Sequence, residues 1–90
     1  MLVKDTLQIV ILQRGWVAIG YLAQSGSYCT LSHPKIIRRW GTSAGLGQLA
    51  IDGPQPNTVC DDAMTMRFHE LTVVAIMDVD AAKWRVVYER

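Results

Sequence analysis

Hydrophobic residues occur in short runs that are rich in Ile and Val and are separated by glycine, proline and polar residues. The first run, LQIVILQR at 7–14, is apolar on both faces, as in a strand that is buried on both sides. GWVAIGYLA at 15–23 is a second strand, in which Gly20 indicates a bulge or a close backbone approach. QSGS at 24–27 provides a hairpin turn, so YCTLSH at 28–33 is expected to return antiparallel.

The next segment brings two arginines and a tryptophan together. Pro34 is expected to interrupt the third strand, after which KIIRRW at 35–40 resumes an extended course. Successive side chains of an extended segment point to opposite faces. Arg38 therefore shares a face with Trp40, whereas Arg39 points the other way.

One short helix is predicted over about 43–51. Thr42 or Ser43 is a suitable N-cap, because a short hydroxyl side chain accepts hydrogen bonds from the free amides of a first turn. Gly53, followed by a proline, is placed to end the helix. The predicted apolar stripe has the spacing i, i+3 and i+4 and consists of Leu46, Leu49 and Ala50.

The C-terminal half completes a mainly β prediction. AMTMRFHELTVVAIMDV at 63–79 is rich in β-branched residues and predicts one long strand, or two strands with a bend near Glu70. Residues 80–90 fit a final strand or a short helix. We therefore expect a mainly β (α+β) fold: a small antiparallel sheet of five to six strands, curled toward a barrel, with the helix between the third and fourth strands.

Composition narrows the class of protein. Ninety residues, half of them apolar and 19% charged, predict a single globular domain over 1–90 with apolar surface left for a homo-oligomeric partner. The net charge of +1 argues against binding long nucleic acid through its phosphates. Cys29 and Cys60 are expected to be reduced thiols, and neither a metal nor a cofactor is expected. With no signal peptide or membrane span predicted, the expected location is the cytoplasm.

The leading candidate site is a phosphate-binding site at the start of the predicted helix. GTSAGLG at 41–47 lacks the lysine of a P-loop and the spacing of a dinucleotide-binding motif, so neither is predicted. The start of the helix would instead offer its free amides, and an arginine beside them would bind phosphate or carboxylate while a tryptophan stacks on a base. The candidate residues are Arg38, Arg39, Trp40, Thr42, Ser43 and Gly45. The alternative is that the arginines are solvated or paired with Asp52 or Asp62, and that Trp40 belongs to the core.

Three further candidates are less specific. Asn57 and Thr58 follow a proline-stiffened loop and would contact a base edge or an oxygen of the ligand, unless they only form a turn. Arg14, in QRGW, either joins the basic patch or is an ordinary surface arginine. His33 and His69 would serve a small nucleotide hydrolase, but no spacing supports a catalytic arrangement with Cys60, Asp61 or Glu70.

The stretches QRGWVAIG, IIRRWGTSAGLGQLAIDGP and NT together resemble a family of small uncharacterised proteins encoded by bacteriophages and prophages, over most of residues 8 to 79. In scale and character the chain also resembles phage anti-defence proteins that sequester cyclic ADP-ribose isomers or cyclic oligonucleotides between subunits. The resemblance implies a non-enzymatic binder of a nucleotide immune signal. The alternative is an inhibitor that contacts a host defence enzyme through aromatics such as Trp16, Trp84 and Tyr88.

Overall fold

The computed structural model describes residues 6–88, which form one six-stranded antiparallel sheet and one α-helix. The strands are β1 (Thr6–Leu12), β2 (Trp16–Ser25), β3 (Tyr28–Arg39), β4 (Val59–Asp62), β5 (Met66–His69) and β6 (Val73–Asp78), and the helix α1 is Leu46–Asp52. Short 3₁₀ helices occupy Gln13–Gly15, Glu70–Thr72 and Ala81–Trp84. The predicted mainly β fold with one short helix is confirmed, and the sheet does not close into a barrel.

The sheet is organised around the long hairpin of β2 and β3. The strand order is β4-β3-β2-β1-β6, and β5 also pairs with β3. The first part of β3, Tyr28–Leu31, pairs with β5, and the part from Lys35 to Arg39 pairs with β4. One edge of β3 therefore carries two different strands, one on each side of an irregularity in the hairpin.

That irregularity is a sharp bend. The register of β2 and β3 shifts between Ile19 and Tyr21, and His33 has a φ of 51°. A Cβ on Gly20 would lie 2.7 Å from the Cγ of Leu31, so this position needs a glycine where the two strands approach. The predicted close approach at Gly20 is confirmed.

The bend folds the tip of the hairpin back over the sheet. Gln13, just before β2, lies 3.5 Å from the carbonyl oxygen of Leu71, and Gln24, near the end of β2, donates to Glu70 at 2.8 Å. Residues just before the start of β2 and near its end thus reach neighbouring residues of one 3₁₀ helix. Only a strongly bent strand allows this.

The bent sheet has a hydrophobic core on each face. On one face α1 and the C-terminal segment cover the sheet, and the fully buried side chains are Ile9, Ile19, Leu49 and Trp84. On the other face the folded-back tip and β5 cover β1, and the buried side chains are Val10, Leu12, Ala18, Leu22, Cys29 and Leu31. No helix among residues 6–88 is long and apolar enough to cross a membrane.

Three local predictions were wrong. Pro34 does not interrupt β3, because it lies buried beside the irregularity at His33, where a missing N–H is tolerated. The helix begins at Leu46 rather than near 43, after Gly45, with no side-chain cap from Thr42 or Ser43. Trp84, expected to face a partner, is fully buried, and its indole N–H donates to Leu49 at 3.0 Å.

Other predictions were correct. Gly53 ends α1, with its amide donating to the carbonyl of Leu49 at 3.0 Å. The segment 63–79 forms two strands with a break that begins at Glu70, as the second alternative stated. The end of the chain includes a short helix, although of the 3₁₀ type.

Tyr88, in the C-terminal segment, holds the bend of the β2–β3 hairpin in place through hydrogen bonds. Its hydroxyl lies 2.9 Å from the carbonyl oxygen of Ile19 and 2.7 Å from that of His33, so its one proton is shared between two acceptors that the shifted register exposes. Burial, the main cause, and nearby groups including Cys60 raise the pKa of the Tyr88 hydroxyl well above its ordinary value. The C-terminal segment is therefore held to the bend by a neutral phenol.

We expect Tyr88→Phe to lower the free energy of unfolding by about 1–3 kcal/mol, because it leaves the part-buried carbonyl of Ile19 and the exposed carbonyl of His33 without this donor. Tyr28→Phe is the matched control and should change stability little, since Tyr28 is largely exposed. Because the folded-state pKa is raised, the stabilisation by Tyr88 is complete below a pH of about 10 and is lost as pH rises above it. Urea unfolding of the three proteins between neutral and alkaline pH measures both effects. Equal stability of wild type and Tyr88→Phe would contradict this role.

Candidate functional site

Arg38 is held by a surface ion pair. Its Nε donates to Asp61 Oδ2 at 2.7 Å, and its Nη2 lies 3.4 Å from Oδ1. The partner differs from the predicted Asp52 or Asp62. The hydrogen bond from Arg38 lowers the pKa of Asp61 below its usual value. The side chains are 67% and 49% exposed, so solvent screens the pair and a stronger anion can compete for the guanidinium.

Most of the predicted helix-start site is engaged in local structure. The amide of Ala44 donates to the side chain of Gln48 at 2.9 Å, and the hydroxyl of Thr42 donates to the carbonyl of Gly45 at 2.6 Å. Ser43 is exposed and lies 3.5 Å from the side chain of Gln48. The helix has only seven residues, so its start is a weak source of positive potential.

Thr58 and Asn57 support the turn after β3. The hydroxyl of Thr58 donates to the carbonyl of Trp40 at 2.6 Å and accepts from the amide of Gln55 at 2.8 Å. Gly41 has a φ of 68°, and a Cβ there would collide with the backbone of Asn57. These contacts fix how the chain leaves β3, and they occupy the hydroxyl of Thr58 that sequence analysis assigned to a ligand.

Arg39 and Trp40 lie at the surface near the end of β3. Both are exposed, Trp40 by 43%, and neither lines the depressions described below.

A different cluster lies at the turn between β1 and β2. Arg14 has a φ of 67° and Gly15 a φ of 80°, so two consecutive residues adopt the left-handed conformation. An arginine rarely adopts it, and the cost is about 1–2 kcal/mol. Trp16 follows at the start of β2 and is 54% exposed, which is unusual for the largest apolar side chain.

Trp16 and Arg38 lie on the same face of neighbouring strands. The register pairs Ala18 with Ile36, and both of these residues contact the core on the face covered by the hairpin tip. Trp16 lies two residues before Ala18 in β2, and Arg38 lies two residues after Ile36 in β3. Both side chains therefore lie on this same face. A depression of about 270 Å³ has both of them in its lining, together with Arg14.

A second depression, of about 410 Å³, lies on the other side of the same turn. Arg14 and Trp16 line it as well, now with Arg67 and Phe68 of β5. We call the residues Arg14, Trp16, Arg38 and Arg67 the Trp16 surface. Three arginines thus line depressions that the half-exposed Trp16 also lines, and Asp61 is the carboxylate that pairs with one of them.

A third depression, of about 370 Å³, is lined by residues that already contact one another. Lys35 is paired with Asp62 and lies 5.6 Å from the centre of the Tyr88 ring, while the Tyr88 hydroxyl is bonded to the bend. The side chains of Lys35, Asp62 and Tyr88 in its lining are therefore engaged with one another or with the bend.

The histidines make local contacts, and the cysteines are free thiols. His69 Nδ1 accepts from the amide of Leu71 at 3.1 Å, and the ring of His33 meets the edge of Tyr21. Cys29 is buried and Cys60 half-buried, both are free thiols, and burial raises the pKa of each. Among residues 6–88 no group of histidine, cysteine and carboxylate side chains could hold a metal ion.

Sequence analysis included Arg14 and Arg38 among its candidates but missed Trp16 and Arg67 as their neighbours. The motif QRGW held a usable signal, because arginine and glycine before a strand-initial tryptophan mark a tight turn that leaves both large side chains at the surface. Arg67 gave no such signal, since only the bend brings β5 near this turn.

Comparison with known proteins assigns no relative: no family model, curated protein or solved structure matches the chain.

Proposed function

We propose that the chain binds a phosphate-bearing nucleotide at the Trp16 surface without changing it chemically. The observation that carries this proposal is a half-exposed indole that shares one depression with Arg14 and Arg38 and a second with Arg14 and Arg67. An aromatic plane next to guanidinium groups suits a base and its phosphates. Among the described residues no group of histidine, cysteine and carboxylate side chains that could hold a metal ion adjoins it.

The two kinds of group make different contributions. Stacking of a base on a tryptophan contributes about 1–3 kcal/mol and tolerates any base. A hydrogen bond between an arginine and a charged phosphate contributes about 1.5–3 kcal/mol and fixes where the phosphate lies. The left-handed backbone at Arg14 and Gly15 fixes the turn that carries Arg14 and Trp16. Less backbone freedom is therefore lost on binding.

Asp61 tunes the affinity of this surface. It occupies the guanidinium of Arg38 in the free protein, through a pair that is largely exposed. An incoming phosphate replaces one carboxylate by a group of equal or greater negative charge, so the exchange costs little. Ligands with less charge than a phosphate would not displace Asp61.

The biological role that we propose is sequestration of a nucleotide immune signal, of the cyclic ADP-ribose or cyclic oligonucleotide type, by a phage anti-defence protein in the host cytoplasm. The support is the resemblance of the sequence together with the Trp16 surface. Binding without turnover suits such a role, because the signal is removed as long as the complex persists.

A second candidate function is the inhibition of a host defence enzyme by direct contact. The observation that favours it is the number of large apolar side chains left at the surface, among them Trp16 and Leu71. The two candidates differ in what Trp16 contacts: a base in the first, and a protein side chain in the second. Trp84, expected to serve this interface, is buried and does not support it.

Calorimetric titration with cyclic nucleotides and ADP-ribose derivatives tests the proposal. We expect one class to bind, and Trp16→Ala to weaken binding about tenfold or more through loss of stacking. Trp40→Ala is the matched control and should bind as the wild type does. No heat with any of these compounds, or a larger effect of Trp40→Ala, would contradict the proposal. A ligand recovered as a cleaved product from the denatured complex would contradict binding without chemistry.

Removing the competing carboxylate should tighten binding. Asp61→Asn leaves the guanidinium of Arg38 free, and we expect an affinity about two- to fivefold higher, equal to the strength of an exposed ion pair. Asp62→Asn is the matched control, because Asp62 is paired with Lys35 beside the third depression. Calorimetry measures both variants. Equal affinities of the two variants would exclude Arg38 from the phosphate contact.

Arg14→Gly separates binding from stability. Replacing the left-handed arginine removes a strain of about 1–2 kcal/mol and so raises the free energy of unfolding. The greater conformational entropy of glycine in the unfolded chain lowers it again by about 0.5–1 kcal/mol. We expect the variant to be slightly more stable in urea unfolding and yet to bind about tenfold more weakly. Arg39→Ala, which changes an exposed arginine outside both depressions, should leave binding intact. Unchanged affinity of Arg14→Gly would contradict a role for Arg14 in binding.

A further inference from the structure

The strand β6 is an edge of the sheet. It pairs with β1, and no other strand among residues 6–88 pairs with it. An edge strand presents a row of backbone N–H and C=O groups that can pair with another chain. Natural proteins protect such edges with charged side chains, proline, β-bulges or very short strands.

The residues of β6 lack most of this protection. Val73 to Met77 are five consecutive apolar residues, and only Asp78, the last residue of the strand, is charged. Val74 is 65% exposed and Ile76 is 45% exposed, although valine and isoleucine are usually buried. A register shift against β1 near Val74 twists the start of the strand but places no charge there.

The strand β4, at the opposite end of the strand order, provides the contrast. It has only four residues, and two of them, Asp61 and Asp62, carry exposed charges. That edge has the usual protection against pairing. The same sheet therefore protects one edge and leaves the other apolar.

The sequence of β6 is complementary to itself. In an antiparallel pairing of two copies about Ala75, Val74 of one copy lies opposite Ile76 of the other, and Val73 lies opposite Met77. The smallest side chain falls on the two-fold axis, where the two backbones face each other. Asp78 lies opposite Thr72, so no two like charges meet within the paired residues.

We propose that β6 pairs with β6 of a second copy of this chain and continues the sheet across a two-fold axis. A pairing of this kind satisfies the open backbone groups and covers Val74 and Ile76 with apolar partners. The symmetry of the apolar run around Ala75 favours a second copy over an unrelated partner, because the same short segment supplies both halves of the contact.

The dimer would bring the second copy close to the Trp16 surface. Thr72, which lines the larger depression, precedes β6 directly, and the pairing places it opposite Asp78 of the second copy. The pairing itself does not depend on ligand binding, so the two proposals can fail separately.

Sedimentation equilibrium of the full chain without ligand tests the pairing. We expect the wild type to have twice the chain mass of 10.0 kDa. The double variant Val74→Lys, Ile76→Lys should sediment as a monomer, because each lysine would face a lysine of the second copy. Ile51→Lys changes an equally exposed aliphatic side chain on α1 and should remain a dimer. Circular dichroism confirms that each variant is folded.

Two double variants of opposite charge test whether β6 of one copy pairs with β6 of the other. The variant Val74→Glu, Ile76→Glu should also be monomeric alone, and an equimolar mixture with the double-lysine variant should restore the dimer mass. A monomeric wild type would overturn the proposal, and so would a double-lysine variant that stays dimeric. A mixture that remains monomeric would overturn the pairing of these residues.

Discussion

The bend in the β2–β3 hairpin is the constraint on which the rest of the fold depends. A flat hairpin of this length would extend beyond β1 and leave one face of the sheet exposed to water. The close approach at Gly20 and the left-handed residue His33 allow the tip to fold back, and the sheet then gains a hydrophobic core on each face. Tyr88 contacts the carbonyls that the bend exposes, which ties the end of the chain to its middle.

The same bend determines where the candidate site lies. By folding the tip over β1, it brings β5 to the turn between β1 and β2, so that Arg67 and Arg14 line one depression. Arg38 reaches Trp16 by a simpler route, because they lie on one face of adjacent strands. The Trp16 surface therefore combines a local motif with two arginines that the fold brings to it.

The strand pattern, the hairpin turn, the two C-terminal strands and the end of the helix at Gly53 followed from local signals, since each depends on residues close in sequence. The course of β3 through Pro34 did not, because a proline is tolerated only beside an irregularity that two strands create together. The helix start was misplaced because hydroxyl residues at Thr42 and Ser43 mimic an N-cap, whereas tertiary packing fixes the first helical residue at Leu46.

The site was predictable only in part. Arg14 and Arg38 were identified from their residue type, whereas Trp16 and Arg67 were not named beside them, because only the fold brings these residues to the same depressions. The hydroxyl groups of Thr42 and Thr58 donate to backbone carbonyls and hold the turns around the segment that follows β3. Side chains that look free in a sequence are often the ones that hold its loops.

The most direct test is to follow the indole N–H signals of the three tryptophans by NMR while a cyclic nucleotide or ADP-ribose derivative that binds is added. Trp84 is buried and hydrogen-bonded to Leu49, so its signal serves as the internal reference. The proposed site predicts that the signal of Trp16 shifts strongly with ligand concentration, whereas the signals of Trp40 and Trp84 stay in place. A shift of the Trp40 signal with no change at Trp16 would contradict the proposed site.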